Sequence, residues 1–251
     1  MLRFRTGVKP ISIFFDNASK NYNGVNALTN FVLTIPPGEL FGCLGPNGAG
    51  KTTAMKLAAG LVKPTAGRVL IDGHDIQQDP LTAKRLFGFI PDNPYIYEAL
   101  TGREFLHYCA GLYKMELKET VEKVASLLTR FQITDWADRR AGQYSHGMKQ
   151  RIVMASAFLH DPKVILVDEP MIGLDPAAMR MVKKVLRDFV DDGGSVFLST
   201  HTLTDAEELC DRVGIIHRGS LVACGRLDEV RREGENLEQS YMAITQGENA
   251  L

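Results

Sequence analysis

Cysteine is scarce in this 251-residue chain, and the little there is forms no pattern. Cys43, Cys109, Cys210 and Cys224 make no C-x-x-C pair and fall at no metal-ligand spacing with the histidines. That argues against a disulfide framework or a zinc site and fits free thiols in a reducing cytosol. An excess of one charge is also lacking. Twenty-nine Lys and Arg face thirty Asp and Glu, a formal net charge of −1, which gives no sign of a general nucleic-acid surface. No segment approaches the roughly 20 apolar residues that span a bilayer. Arg3, Arg5 and Lys9 are followed by no long apolar stretch, so no signal peptide is expected. A role at a membrane would need another component to hold the chain there. Repeats, low-complexity tracts and long linkers are missing as well. What remains, 45% apolar and 24% charged residues, is an ordinary globular composition with enough chain for a sizeable core.

Short β-rich runs alternate with helical patterns. Strands are expected at 12–17, 31–35, 39–45, 68–73, 86–91, 164–169, 195–200, 212–219 and 220–225. VILVD and VFLST are apolar throughout, as strands covered on both faces are, so a mainly parallel sheet flanked by helices is predicted. Between about 95 and 160 the strand signal vanishes, and 104–113, 118–131 and 147–160 read as helices. The expected fold class is α/β with an inserted helical subdomain. The core would occupy about 11–91 and 161–227, the helices about 92–160, and a polar, weakly helical tail 228–251.

GPNGAGKTT, Gly45 to Thr53, is a full G-x-x-x-x-G-K-[ST] match between an expected strand and an expected helix. Gly45, Gly48 and Gly50 let backbone N–H groups curl around phosphate oxygens, with the helix dipole behind them. Lys51 would place a cation on the β- and γ-phosphates, and Thr52 would offer a hydroxyl to Mg²⁺. Pro46, Asn47, Ala49 and Thr53 complete the nucleotide-lining loop. VILVDEP, Val164 to Pro170, supplies a second half. Asp168 at the strand end can hold Mg²⁺ through water, and Glu169 can accept a proton from attacking water.

In GQYSHGMKQR, Ser145 sits at the mouth of a helical run. It is a natural N-cap, and a helix N-terminus with a hydroxyl and a bare glycine is also an anion site. With these motifs in order, the chain resembles the ATP-binding-cassette (ABC) ATPases from about Ser12 to Thr245, a P-loop NTPase core with an N-terminal antiparallel β part. The resemblance makes 1–245 one domain. It places Tyr22 where the family has its adenine-stacking aromatic. It reads YSHGM as the signature motif, GLDP with Asp175 as the D-loop, and His201 as the switch histidine that holds Glu169 and water in line. It implies two cassettes paired head to tail, with ATP held between the P-loop of one and Ser145 and Gly147 of the other. Asp175 would then organise the dimer seam.

Two positions depart from the family pattern. Asp92 stands where a glutamine is usual, and is expected to approach Mg²⁺ or its waters. His146 stands where glycine is usual, and is expected to weaken ATP-driven closure or make it pH-sensitive. The resemblance implies an ATP-hydrolysing transporter subunit. Its cofactors are ATP and Mg²⁺, and its partners a membrane-spanning permease and a second cassette, identical or different. It would be cytoplasmic, on the inner face of the membrane through the permease alone. Export is favoured over import because ALTGREFL resembles exporter cassettes, as does the tail ENLEQSYMAIT, Glu235 to Thr245. A soluble iron–sulfur assembly cassette is the alternative. A GTPase is disfavoured by the lack of an N-K-x-D motif, a DNA-repair cassette by the lack of a long coiled coil, and a translation factor by the single cassette.

Overall fold

A computed structural model describes residues 11–231 and 236–246. Arg3, Arg5 and Lys9 lie outside them, as does Glu235 of the tail motif. The chain opens with a hairpin, β1 (Ile13–Tyr22) and β2 (Val25–Ile35). Both strands are longer than expected from sequence because Asn23-Gly24, at φ 50° and 95°, makes a two-residue turn that pairs Tyr22 with Val25. After β3 (Leu40–Leu44) the P-loop leads into α1 (Lys51–Ala58). Next come β4 (Ala66–Ile71), β5 (His74–Asp75), α2 (Pro80–Arg85) and β6 (Phe87–Ile90).

The helical insertion follows: α3 (Gly102–Leu112), α4 (Leu117–Arg130) and α5 (His146–Ala157). Its first helix begins at a capping box, in which the Glu104 amide donates to Thr101 Oγ1 at 3.1 Å and the Thr101 amide to Glu104 Oε2 at 2.8 Å. The chain returns through β7 (Val164–Asp168), α6 (Pro176–Asp191), β8 (Ser195–Thr200), α7 (Leu203–Leu209), β9 (Arg212–His217) and β10 (Ser220–Arg226). It closes with α8 (Leu227–Val230) and α9 (Leu237–Gln246).

Two sheets result. An antiparallel one runs β2-β1-β4-β5. A six-stranded one runs β10-β9-β3-β8-β7-β6, parallel except for its edge strand β10. One apolar core joins the two sheets around α1, and Phe15 meets Phe31 and Phe197 edge-on at 5.0 and 5.7 Å. The other lies on the opposite face of the parallel sheet, under α5, α6 and the helical insertion. The described part of the tail packs on the body of the chain more than its polarity suggests. Leu237 and Ser240 are buried, and Tyr241 and Ile244 pack on the second core. β3, β7 and β8 lie side by side and end in the same direction, so the P-loop, the Asp168-Glu169 pair and His201 emerge together.

Candidate nucleotide site

The P-loop is held by close backbone approaches and by the Lys51 side chain. A β-carbon on Gly50, whose φ is 117°, would lie 2.6 Å from the Ala27 carbonyl, so only glycine lets the hairpin approach so closely. The Gly219 amide donates to Ala49 O at 2.8 Å and pins the loop from the β9–β10 turn. Within the loop the Ala49 amide reaches Pro46 O at 3.1 Å. Pro46, Asn47 and Gly48 are exposed, while Thr52 and Thr53 are half-buried in the first turn of α1. Lys51 is buried. Its ammonium donates to Gly45 O at 2.7 Å and lies 3.9 Å from Glu169 Oε1.

Glu169 sits just past β7 at φ 48°, an uncommon angle for a side-chain-bearing residue. Its amide donates to Ser199 O at 3.0 Å, which fixes the turn. The same Oε1 that faces Lys51 lies 2.9 Å from Nδ1 of His201, whose own ring is half-exposed. A carboxylate, a cation and an imidazole therefore converge, with the carboxylate almost wholly enclosed.

Asp168 is buried, and burial raises its carboxyl above the ordinary range. Hydrogen bonds from Ser199 and Thr52 oppose that shift, while the charges of Asp92 and Glu169 add to it. Thr52 and Asp168 thus stand together, with the exposed Asp92 close enough to act on them. Hydroxyl and carboxylate oxygens crowded in this way fit Mg²⁺, which keeps several waters and takes few protein ligands. Among the described residues no cluster of three or more His, Cys, Asp or Glu competes for a metal. Ser199, which sequence reading missed, is the main partner of Asp168. Its only signal was its place in the last turn of an apolar strand.

Tyr22 ends β1 on the hairpin that meets the P-loop at Ala27, and its ring is partly exposed. Lys20 Nζ lies 4.9 Å from the ring centroid, a cation–π contact that occupies one face. Ser145 is the N-cap of α5. Its Oγ accepts from the Met148 amide at 3.3 Å, and its side chain is exposed. Tyr144, just before it, is buried. Its hydroxyl accepts from the Gly102 amide at 3.0 Å and has the carbonyls of Trp136, Ala137 and Arg139 within 3.3 Å. Asp175 caps α6 by accepting from the Ala178 amide at 2.8 Å, and lies 3.7 Å from Arg151 of α5. Gly147 is half-buried against Gly173 and Leu174. A cavity of about 570 Å³ lined by Asp16, Lys63, Arg68 and Asp75 lies on the antiparallel sheet and shares no residue with this site. The assignment therefore rests on convergent groups on an open face, not on pocket shape.

Comparison with known proteins agrees with this geometry. The model of the ABC transporter family matches residues 28–172. An uncharacterized ABC transporter ATP-binding protein of Nostoc sp. is 38% identical over 82% of this chain, and the match spans 62% of that relative's length. A daunorubicin resistance ATP-binding protein of Streptomyces coeruleorubidus is 33% identical over 88% of the chain and 70% of its own length. A solved ATP-binding subunit of an ABC transporter superposes with a TM-score of 0.87 at 33% identity, over 92% of this chain and 98% of that one. A dimeric ATP-binding cassette in a post-hydrolysis state with ADP and Pi superposes at 0.78 and 27%, over 85% and 98%. Motif order, site geometry and these likenesses agree: the chain belongs to the ABC transporter family, as an ATP-binding cassette.

Proposed function

We propose that this cassette hydrolyses ATP as one half of a dimer and drives a separate membrane permease, with export as its direction. The observation that carries the proposal is the meeting of Lys51 and His201 on one oxygen of Glu169. In the proposed reaction Tyr22 stacks on adenine by the face that Lys20 leaves free. P-loop amides and Lys51 hold the β- and γ-phosphates. Mg²⁺, carried by Thr52 with Asp168 and Asp92 through water, would neutralise charge on those phosphates. Water attacks the γ-phosphorus, the bond to the ADP oxygen breaks, and Glu169 takes the water's proton. His201 holds Glu169 in line and donates to the γ-phosphate. Ser145 and Gly147 of the facing cassette cap the same phosphate with the N-terminus of α5.

Dimerisation is supported by the exposed N-cap of α5 and by the dimeric neighbour. Export is supported by the resistance-protein relative and by the ALTGREFL stretch. Among the described residues no helix is long and apolar enough to cross a membrane, so the cytoplasmic, inner-face position proposed here depends on the permease. Glu169→Gln keeps the shape of the side chain and removes the base. It should cut turnover by about 10²–10⁴-fold and trap an ATP-dependent dimer in size-exclusion chromatography with light scattering. Near-normal turnover would sink the base assignment. A monomer at every ATP concentration would sink the homodimer.

A further inference from the structure

Between Ser145 and Gly147, which the proposed phosphate contacts use, stands His146, which they do not, and its ring has a contact of its own. The residue is exposed, but one edge of its ring lies against the D-loop of its own chain. A β-carbon on Gly173 would sit 2.6 Å from His146 Cδ2 and 3.3 Å from Nε2. Gly173 itself is at φ 74°, so the D-loop turns beneath the ring with bare backbone. Two neighbours strengthen the seat. Gly147 packs on Gly173 O and the Leu174 side chain, and Arg151, one turn along α5, faces Asp175. The start of α5 and the loop into α6 are thus one packed unit.

We infer that Gly173 is the docking seat of the His146 ring. By holding the imidazole against the D-loop, it keeps the phosphate-facing mouth of α5 open for the nucleotide of a second copy. The pair replaces the usual bare glycine by a side chain with a fixed parking place. Gly173 is accordingly a positioning residue that acts through His146. This rests on the head-to-tail sandwich proposed above. On this proposal a parked ring impedes closure only when its seat is taken away.

The test is a two-by-two cycle in the Glu169→Gln protein, read as the ATP concentration that gives half-maximal dimer. Gly173→Ala puts a methyl group 2.6 Å from His146 Cδ2, so the ring leaves its seat and, on this proposal, crowds the helix mouth. The half-maximal concentration should rise about tenfold. His146→Gly alone should change it by no more than about threefold. With His146→Gly present, Gly173→Ala should again cost no more than about threefold. The backbone strain of a left-handed alanine is common to both His146 backgrounds and drops out of the cycle. Thermal unfolding of the ATP-free monomers supplies a second reading. Gly173→Ala should lower Tm less when His146 is glycine. An equal cost of Gly173→Ala in both backgrounds, in dimerisation and in Tm, overturns the seat. So does a tenfold easing of dimerisation by His146→Gly alone. A parent that stays monomeric with ATP overturns the sandwich reading and the role in closure with it. In that case non-additive Tm values would still show the contact, so the two failures are told apart.

Discussion

His160 shows how one residue can be fixed by groups that sequence reading would not connect. Its ring stacks on Tyr113 at 3.8 Å and 7°, and its Nε2 lies 3.1 Å from the Phe87 carbonyl, so it joins the end of α3 to the start of β6. Burial lowers its affinity for a proton. The Phe87 bond and Asp161 oppose that shift, while Lys123, itself paired with Asp161, adds to it. The folded pKa lies below the ordinary 6.5, so the unfolded chain binds this proton first as pH falls. The stabilisation is complete above about 6.5 and declines as pH drops from there towards the folded pKa. Replacing His160 with Gln removes the titration. Urea midpoints at pH 7.5 and 5.5 should therefore differ less in His160→Gln than in the parent. An unchanged difference would show that other groups set the acid sensitivity. The residues proposed for catalysis were brought into view at this same scale. Lys51, Asp168, Glu169 and His201 each sit in a motif with a chemical reason for its spacing, and the structure brings all four to one edge of the sheet.

Elements were legible where their patterns were simple. The apolar runs of β7 and β8 and the Ser145 cap are present close to where they were read. The N-terminal hairpin was read short because register shifts after Phe15, Ala18 and Lys20 break the alternation of β1, leaving the Asn23-Gly24 turn as its sole clear signal. Of the shorter elements, β5 and α2 carry too few apolar positions for any period to show. What no pattern could reveal is coupling between elements. The hydroxyl of Tyr144 fastens the start of α3 to the signature turn, and a β-carbon on Gly102 would lie 2.8 Å from it and 2.5 Å from Ile152 Cδ1. The ion pair of Lys149 with Glu98 at 3.2 Å is exposed and adds little to that joint. Tyr144→Phe keeps the ring packed on Trp136 but leaves the buried Gly102 amide without its acceptor. The expected loss is about 1–3 kcal/mol in urea unfolding, whereas Glu98→Gln should stay within about 0.5 kcal/mol. Equal costs would show that the hydroxyl is not what holds the two helices together.

At the scale of the molecule, the two cores leave an apolar surface around Tyr97 uncovered. Tyr97 meets Tyr95 and Tyr108 edge-on at 5.7 and 5.5 Å, and all three rings are exposed. Beyond them Leu112, Leu117 and Val121 are more than half exposed on α3, on α4 and at their junction. Tyrosines of this kind offer large apolar area with a polar tip, the character of interface anchors rather than of solvated faces. The cluster begins three residues after Asp92 and continues onto α3, the helix whose start is hydrogen-bonded to Tyr144. A partner bound there would thus pull on both the metal-side loop and the signature turn. The permease proposed above is the partner this placement would suit, because in that proposal ATP turnover must be felt by a protein that never touches the nucleotide. Tyr97→Ser with Tyr108→Ser removes two exposed anchors, of which Tyr97 also rests on the buried ring of Phe105 at 6.4 Å. In cells that make the permease, the parent should sediment with membranes and the double variant should shift about tenfold towards the soluble fraction, as loss of anchors worth about 1.4 kcal/mol or more implies. ATP binding by the purified variant should stay within about twofold of the parent, since no nucleotide-site residue is altered. Unchanged sedimentation would move the docking surface elsewhere. A parent that never sediments would favour the soluble assembly cassette over the transporter subunit.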